Sequence, residues 1–117
     1  MILGIGLDLV ELHRIEKAYS RSRRFAERIL TKRELAILDT LSEPRQIEFL
    51  AGRFAAKEAY SKAVGTGIGQ GCELHQIEIL KDKSGKPVLY FDEEAVNGFV
   101  TITHTSQVAA AQVVLMK

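Results

Sequence analysis

The stretch that most constrains this fold is "SEPRQIEFLAGRFAAKEAYSKAVG", residues 42–65. Ser42 is a helix N-cap residue type, and Pro44 suits a first turn, where the missing amide proton is no loss. Gly65 is the residue type that ends helices in the left-handed conformation. These signals predict one long helix running to about Val64. At ~100° per residue, Phe49, Gly52, Ala56, Ala59, Tyr60 and Ala63 share a small, apolar side that suits packing on a sheet. Phe54, Glu58, Ser61, Lys62 and Gly65 share the other, with Arg53 and Lys57 flanking. Spacing alone reads that second side as solvated, with Glu58 and Lys62 an i,i+4 pair worth about 0.2–0.5 kcal/mol.

The N-terminal stretch adds a second constraint. In residues 2–10, Leu3, Ile5, Leu7 and Leu9 alternate with Gly4, Gly6 and Asp8, the period of a strand. A strand face holding two glycines and a carboxylate leaves room for close approach. It admits two readings. Either the long helix packs tightly over Gly4 and Gly6 while Asp8 caps the next helix, or the space serves a ligand. In the second case Asp8 and Glu58 would supply two hard oxygens and Lys62 would hold phosphate. Mg²⁺ is commonly bound in this manner, by one or two carboxylates, substrate phosphates and waters.

Around these two elements, residues 11–20 and about 22–29 read as basic helices. Thr31 with Glu34 forms a capping box that opens another. "GTGIGQG" lacks a phosphate-loop lysine and follows a helix, so it reads as a connection. "HQIEILKD", "KSGK" and "PVLYF" predict a hairpin. Asp92 is placed to cap a short helix ending near Gly98, and "VTITHT" and "VAAAQVVLM" predict two closing strands. The fold class is therefore α+β, with an antiparallel sheet packed against a long central helix in one domain, residues 1–117. A chain of this size is only marginally stable alone, which favours oligomers.

No apolar run is long enough to span a membrane. The N-terminus lacks the basic start of a signal peptide, and the single Cys72 fits a reducing cytoplasm. His13 and His75 have no zinc-ligand spacing with Cys72. Net charge is +1 but unevenly spread: residues 14–33 hold eight basic side chains against Glu16 and Glu27. Such a face attracts an acidic partner, either a protein or the phosphates of a nucleic acid.

Three stretches together carry a specific likeness. "GIGLDLVELHRI" resembles the opening signature of the holo-[acyl-carrier-protein] synthases, the small bacterial 4′-phosphopantetheinyl transferases. "RFAAKEAYSKAVGTG" resembles their second signature, and "TITHTSQVAAAQVVL" is similar to their C-terminal segment around a histidine. The likeness implies a 4′-phosphopantetheinyl transferase-like fold. It also implies Mg²⁺-dependent transfer of 4′-phosphopantetheine from coenzyme A to a serine of apo-acyl carrier protein, for fatty acid synthesis, with release of adenosine 3′,5′-bisphosphate.

Carried over by motif, Asp8 and Glu58 would be metal ligands, and with Lys62 the catalytic residues. Arg53, Ser61, Lys62, Gly65, His104 and Thr105 would bind the coenzyme. The likeness implies a homotrimer with shared sites. The acidic carrier would dock on basic residues 14–28, using Arg14, Arg21, Arg24 and Arg28 with Phe25 as an apolar anchor. Asp8 is followed by Leu9 and Val10 where larger relatives carry an acid–x–acid pair, so a water would fill that coordination place. Either Glu58 or a metal-bound water would take the serine proton. Nucleic-acid binding by the 14–33 helices is the alternative function.

Overall fold

The computed structural model describes residues 1–117. The chain runs β1 (Ile2–Glu11), α1 (Leu12–Arg21), α2 (Arg24–Ile29), α3 (Lys32–Leu38) and α4 (Glu43–Val64). A 3₁₀ turn at Leu74–Gln76 leads into β2 (Ile77–Lys81), β3 (Pro87–Phe91), β4 (Glu94–Ala95), β5 (Gly98–His104) and β6 (Val108–Met116). The strands form two antiparallel sheets, ordered β1-β6-β5 and β2-β3-β4, where the sequence pointed to one.

The two ends of the chain meet in the first sheet. Gly6 lies opposite Val113 and Asp8 opposite Ala111, while Val100 and Ile102 of β5 flank the same β6 residues. Gly6, Val113 and Val100 are buried, so this face is the one turned to α4. A Cβ on Gly4 would lie 2.1 Å from the Ala63 carbonyl oxygen, and one on Gly6 only 1.8 Å from that of Ala59. The glycines therefore let β1 rest directly on the backbone of α4. The space over Gly4 and Gly6 is filled by α4, as the close-packing reading of the glycines expects. Asp8 does not cap α1, whose N-cap is Glu11 without a side-chain bond. It bonds Lys62 instead. The bulky residues of β1 point the other way, and Leu3, Ile5, Leu7 and Leu9 are all exposed.

α4 carries a core on more than one side. Ala55, Ala56, Ala59 and Tyr60 pack with Ile77, Ile79, Leu89, Val100 and Val113. Leu50 and Ala51 pack with Leu12, Ile15, Ile29, Leu30 and Leu38 of the early helices. The solvated side expected from spacing is therefore narrow: Lys62 is exposed and Glu58 half-buried, but Arg53, Lys57 and Ser61 are buried. Lys57 is fully buried because its ammonium has three partners: Glu34 Oε1 at 2.7 Å, the Ile29 carbonyl at 2.6 Å and the Leu74 carbonyl at 3.0 Å. Burial pushes its pKa down, and the Glu34 charge opposes that shift.

The caps follow the sequence closely. Thr31 and Glu34 form the capping box of α3, and Gly65 ends α4 at φ +100°. Ser42 occupies the N-cap of α4 but makes no side-chain bond there. The short helix expected after Asp92 is absent. Asp92 and Glu93 sit at φ +49° and +67°, the two consecutive left-handed residues of a tight hairpin turn, and they lead into β4.

Two outcomes follow for stability. Gly6→Ala should destabilise by at least the ~1–3 kcal/mol typical of overpacking, read from urea unfolding, because its neighbour is rigid backbone. Lys57→Ala should cost about 3–5 kcal/mol by leaving Glu34 buried without a counter-charge. The double change Glu34→Gln with Lys57→Met should cost less than Lys57→Ala alone.

Candidate active site

Asp8 and Glu58 reach one place by different routes. Asp8 is on the inward face of β1, and Glu58 projects from the second half of α4 where the glycine contact brings the two elements together. Lys62, one turn beyond Glu58, joins them. Its ammonium donates to Asp8 Oδ1 at 3.0 Å and to the Leu7 carbonyl at 3.1 Å. The Glu58 carboxyl is held above the usual carboxylate range, first by burial and then by the negative charge of Asp8, with Lys62 pulling the other way. Two carboxylates and a lysine thus share one electrostatic neighbourhood.

This donor set suits a hard cation that brings other ligands with it. No group of three or more His, Cys, Asp or Glu side chains is placed to hold a metal, so there is no all-protein cage. Mg²⁺ does not need one: two carboxylates suffice when phosphates and waters complete the shell. The mutual repulsion of Asp8 and Glu58 is the kind of charge excess a divalent cation relieves.

The other coenzyme candidates fall elsewhere. Arg53 and His104 line a groove of about 880 Å³ with Arg45, Glu48, Phe49 and Ile102. Arg53 is largely buried beneath it, donating to the Ile79 carbonyl at 3.2 Å and lying over the Phe49 ring at 4.3 Å. His104 Nδ1 is 3.9 Å from Glu48. Asp8, Glu58 and Lys62 are not among the residues that line this groove, although Arg53 of its lining lies only five residues before Glu58 on α4.

Ser61 corrects the expectation for its face. Its side chain is buried and its hydroxyl donates to the Glu58 carbonyl at 2.7 Å, so it does not lie on a solvated side of the helix. Gly65 is the left-handed stop of α4, its N–H bonded to the Ser61 carbonyl. Thr105 forms a turn, its hydroxyl accepting from the Gln107 and Val108 amides.

Sequence reasoning did not single out Arg45 and Glu48, although their i,i+3 spacing on α4 was visible, nor the role of Glu34 beyond its cap. Glu34 is fully buried and pairs with Lys57 across 23 positions of sequence, a separation no local pattern reveals.

Comparison with known proteins agrees with this architecture. The family model described as the 4′-phosphopantetheinyl transferase superfamily matches residues 4–114, and the chain belongs to that superfamily. Within it, the chain is 58% identical over 116 residues to the holo-[acyl-carrier-protein] synthase of Bacillus velezensis, covering 98% of this chain and 96% of the relative. The Bacillus subtilis enzyme of the same name is 57% identical over 118 residues, again covering 98% and 96%. Among solved structures, a holo-(acyl-carrier-protein) synthase from Bacillus anthracis in complex with CoA (3′,5′-ADP) superposes with TM-score 0.87 at 50% identity, covering 98% of this chain and 96% of that one. The holo-[acyl-carrier-protein] synthase of Neisseria meningitidis gives 0.89 at 35% identity, with both chains fully covered.

The Glu58 pKa carries a stability prediction. Raised in the fold above its unfolded value, it makes the ionised carboxylate a cost at neutral pH that disappears as pH falls below the unfolded value. Glu58→Gln should therefore unfold, without added metal at pH 7, at a temperature equal to or above that of the parent. A scanning-calorimetry midpoint clearly lower than the parent would contradict this.

Proposed function

We propose that this chain performs the reaction its relatives are named for, moving 4′-phosphopantetheine from coenzyme A to a serine of apo-acyl carrier protein. The observation that carries the reading is the meeting of Asp8, Glu58 and Lys62 within a chain matched by the family over residues 4–114. The serine oxygen attacks the β-phosphorus of coenzyme A, a new P–O bond forms to the carrier, the bond to adenosine 3′,5′-bisphosphate breaks, and the serine proton passes to Glu58 or to a water. Such phosphoryl chemistry depends mainly on positioning and charge stabilisation.

Asp8 and Glu58 would hold Mg²⁺, which when bound neutralises charge on the pyrophosphate oxygens. Lys62 is half exposed and reaches the same neighbourhood. Its ammonium stabilises negative charge developing on the departing bisphosphate. Arg53 and His104, with Arg45, make the groove that takes the nucleotide end.

That groove is not lined by Asp8, Glu58 or Lys62, which supports a site shared between subunits of a homotrimer. The exposed row Leu3, Ile5, Leu7 and Leu9, with exposed Phe99 on the same outer face of the sheet, supports such an assembly. Residues 1–117 then act as one domain. No helix is long and apolar enough to cross a membrane, and the free, buried Cys72 fits a cytoplasmic enzyme.

The acidic carrier docks on α1 and α2. Arg14, Arg21, Arg24 and Arg28 are exposed and none is in an ion pair, whereas Arg23 is held by Asp39 at 2.9 Å. Phe25 is half-buried between them. The family match over residues 4–114 supports a carrier protein rather than nucleic acid as the partner for this face.

The deciding experiment is the intact mass of apo-acyl carrier protein after incubation with this chain, coenzyme A and Mg²⁺, with an EDTA arm. A gain of one phosphopantetheine, lost in EDTA, is the expected result. No gain with folded chain would overturn the reaction, and a gain persisting in EDTA would overturn the metal requirement. Asp8→Asn and Glu58→Gln should each reduce turnover by about 10²-fold or more, the scale of losing a charge-stabilising group. Reversing Arg14 and Arg24 to Glu should raise KM for the carrier about tenfold, through slower encounter, and leave KM for coenzyme A unchanged.

A further inference from the structure

We propose that Glu34 is a positioning residue for the transfer, holding Lys57 and through it the Glu58–Lys62 turn of α4 against Asp8. The inference rests on the site reading above and adds a residue that lies outside all three signature stretches.

The Glu34 carboxylate is fully buried and fully engaged. Oε1 accepts from the Thr31 amide at 2.9 Å and from Lys57 Nζ at 2.7 Å, while Oε2 accepts from the Ile79 amide at 2.9 Å. Arg53 Nε stands 4.0 Å away. Lys57 spends its remaining two N–H groups on the carbonyls of Ile29, at the end of α2, and Leu74, in the 3₁₀ turn. An ammonium has three donors, so the side chain is saturated and its position fixed.

Lys57 and Glu58 are consecutive on α4, about 100° apart around its axis. Whatever fixes Lys57 therefore also sets the direction in which Glu58 points. The opposite restraint is the backbone contact of Gly4 and Gly6 with Ala63 and Ala59. The turn that holds Glu58 and Lys62 is thus pinned from two sides. One pin is rigid backbone, and the other is the Glu34–Lys57 pair.

Stability alone is a weak account of this pair, since a buried ion pair is often no better than apolar packing of the same volume. Its geometric effect is specific. Rolling α4 about its axis would move Glu58 away from Asp8, and a displacement of ~1 Å at a reacting centre can cost about 10²-fold in rate. Glu34 is fully buried, so it reaches the carboxylates only through other side chains, and its direct route to the Glu58–Lys62 turn is Lys57.

The test uses two full-length variants, Glu34→Asp, which keeps the charge but shortens the reach, and Glu34→Gln with Lys57→Met, which removes both charges. Each is assayed well below its own unfolding midpoint. Turnover is measured per folded molecule, and Mn²⁺ affinity is measured directly by the spin signal of the free ion. Asp8→Asn and Glu58→Gln serve as controls for the site itself. The double variant should lower kcat about 10–100-fold and raise the Mn²⁺ Kd about tenfold, with KM for the carrier within about twofold. Glu34→Asp should shift both in the same direction by less.

Parent-like kcat and Mn²⁺ affinity in both folded variants, with the controls impaired, would overturn the positioning role and leave the site reading standing. Undiminished Mn²⁺ binding in both controls would overturn the site reading, and the positioning role with it.

Discussion

The buried pair of Lys57 and Glu34 is the interaction on which the helical half of this protein depends. Two opposite charges with no exposure are tolerable only when every donor and acceptor is engaged. Here the ammonium reaches three elements and the carboxylate three donors. The end of α2, the cap of α3, the 3₁₀ turn, β2 and α4 are tied at one point. Apolar packing around Leu30, Leu38 and Leu50 supplies free energy without direction. The polar node supplies the direction.

On its other flank α4 meets β1 backbone to backbone. That contact gives Asp8 its importance, because it brings a strand carboxylate beside a helix carboxylate and a lysine. It also explains why the residues of β1 divide as they do. Side chains on the inner face must vanish for the helix to fit, so Gly4 and Gly6 occupy it. The large residues are left on the outer face, where Leu3, Ile5, Leu7 and Leu9 stand exposed. One packing requirement thus shapes both the candidate site and the apolar outer face of the sheet.

Much of the local architecture was legible in the chain. The cap of α3, the stop at Gly65, the hairpin around Gly85 and the alternation of β1 all depend on residues within a few positions of one another. The failures share a cause as well. Asp92 looked like a helix cap, yet with Glu93 it makes a left-handed turn, because closing a hairpin onto β4 outweighs the local preference of either residue. Ser61 looked like part of a solvated side, yet α4 is buried on so many sides that its hydroxyl turns back to its own helix.

The chemistry-bearing types and their order were fixed locally: Asp8 on a strand, Glu58 and Lys62 one helical turn apart, a basic segment at 14–33. Only the tertiary structure decided that Asp8 meets Lys62 across 54 positions and that Lys57 is buried while its neighbour Glu58 is not. It also set Arg53 and His104 in a separate groove. The physical reason is range. Caps, turns and periodicity are settled by backbone geometry over a few residues. Partners for buried charges, and the face a crowded helix leaves open, are settled by distant segments that close in on it.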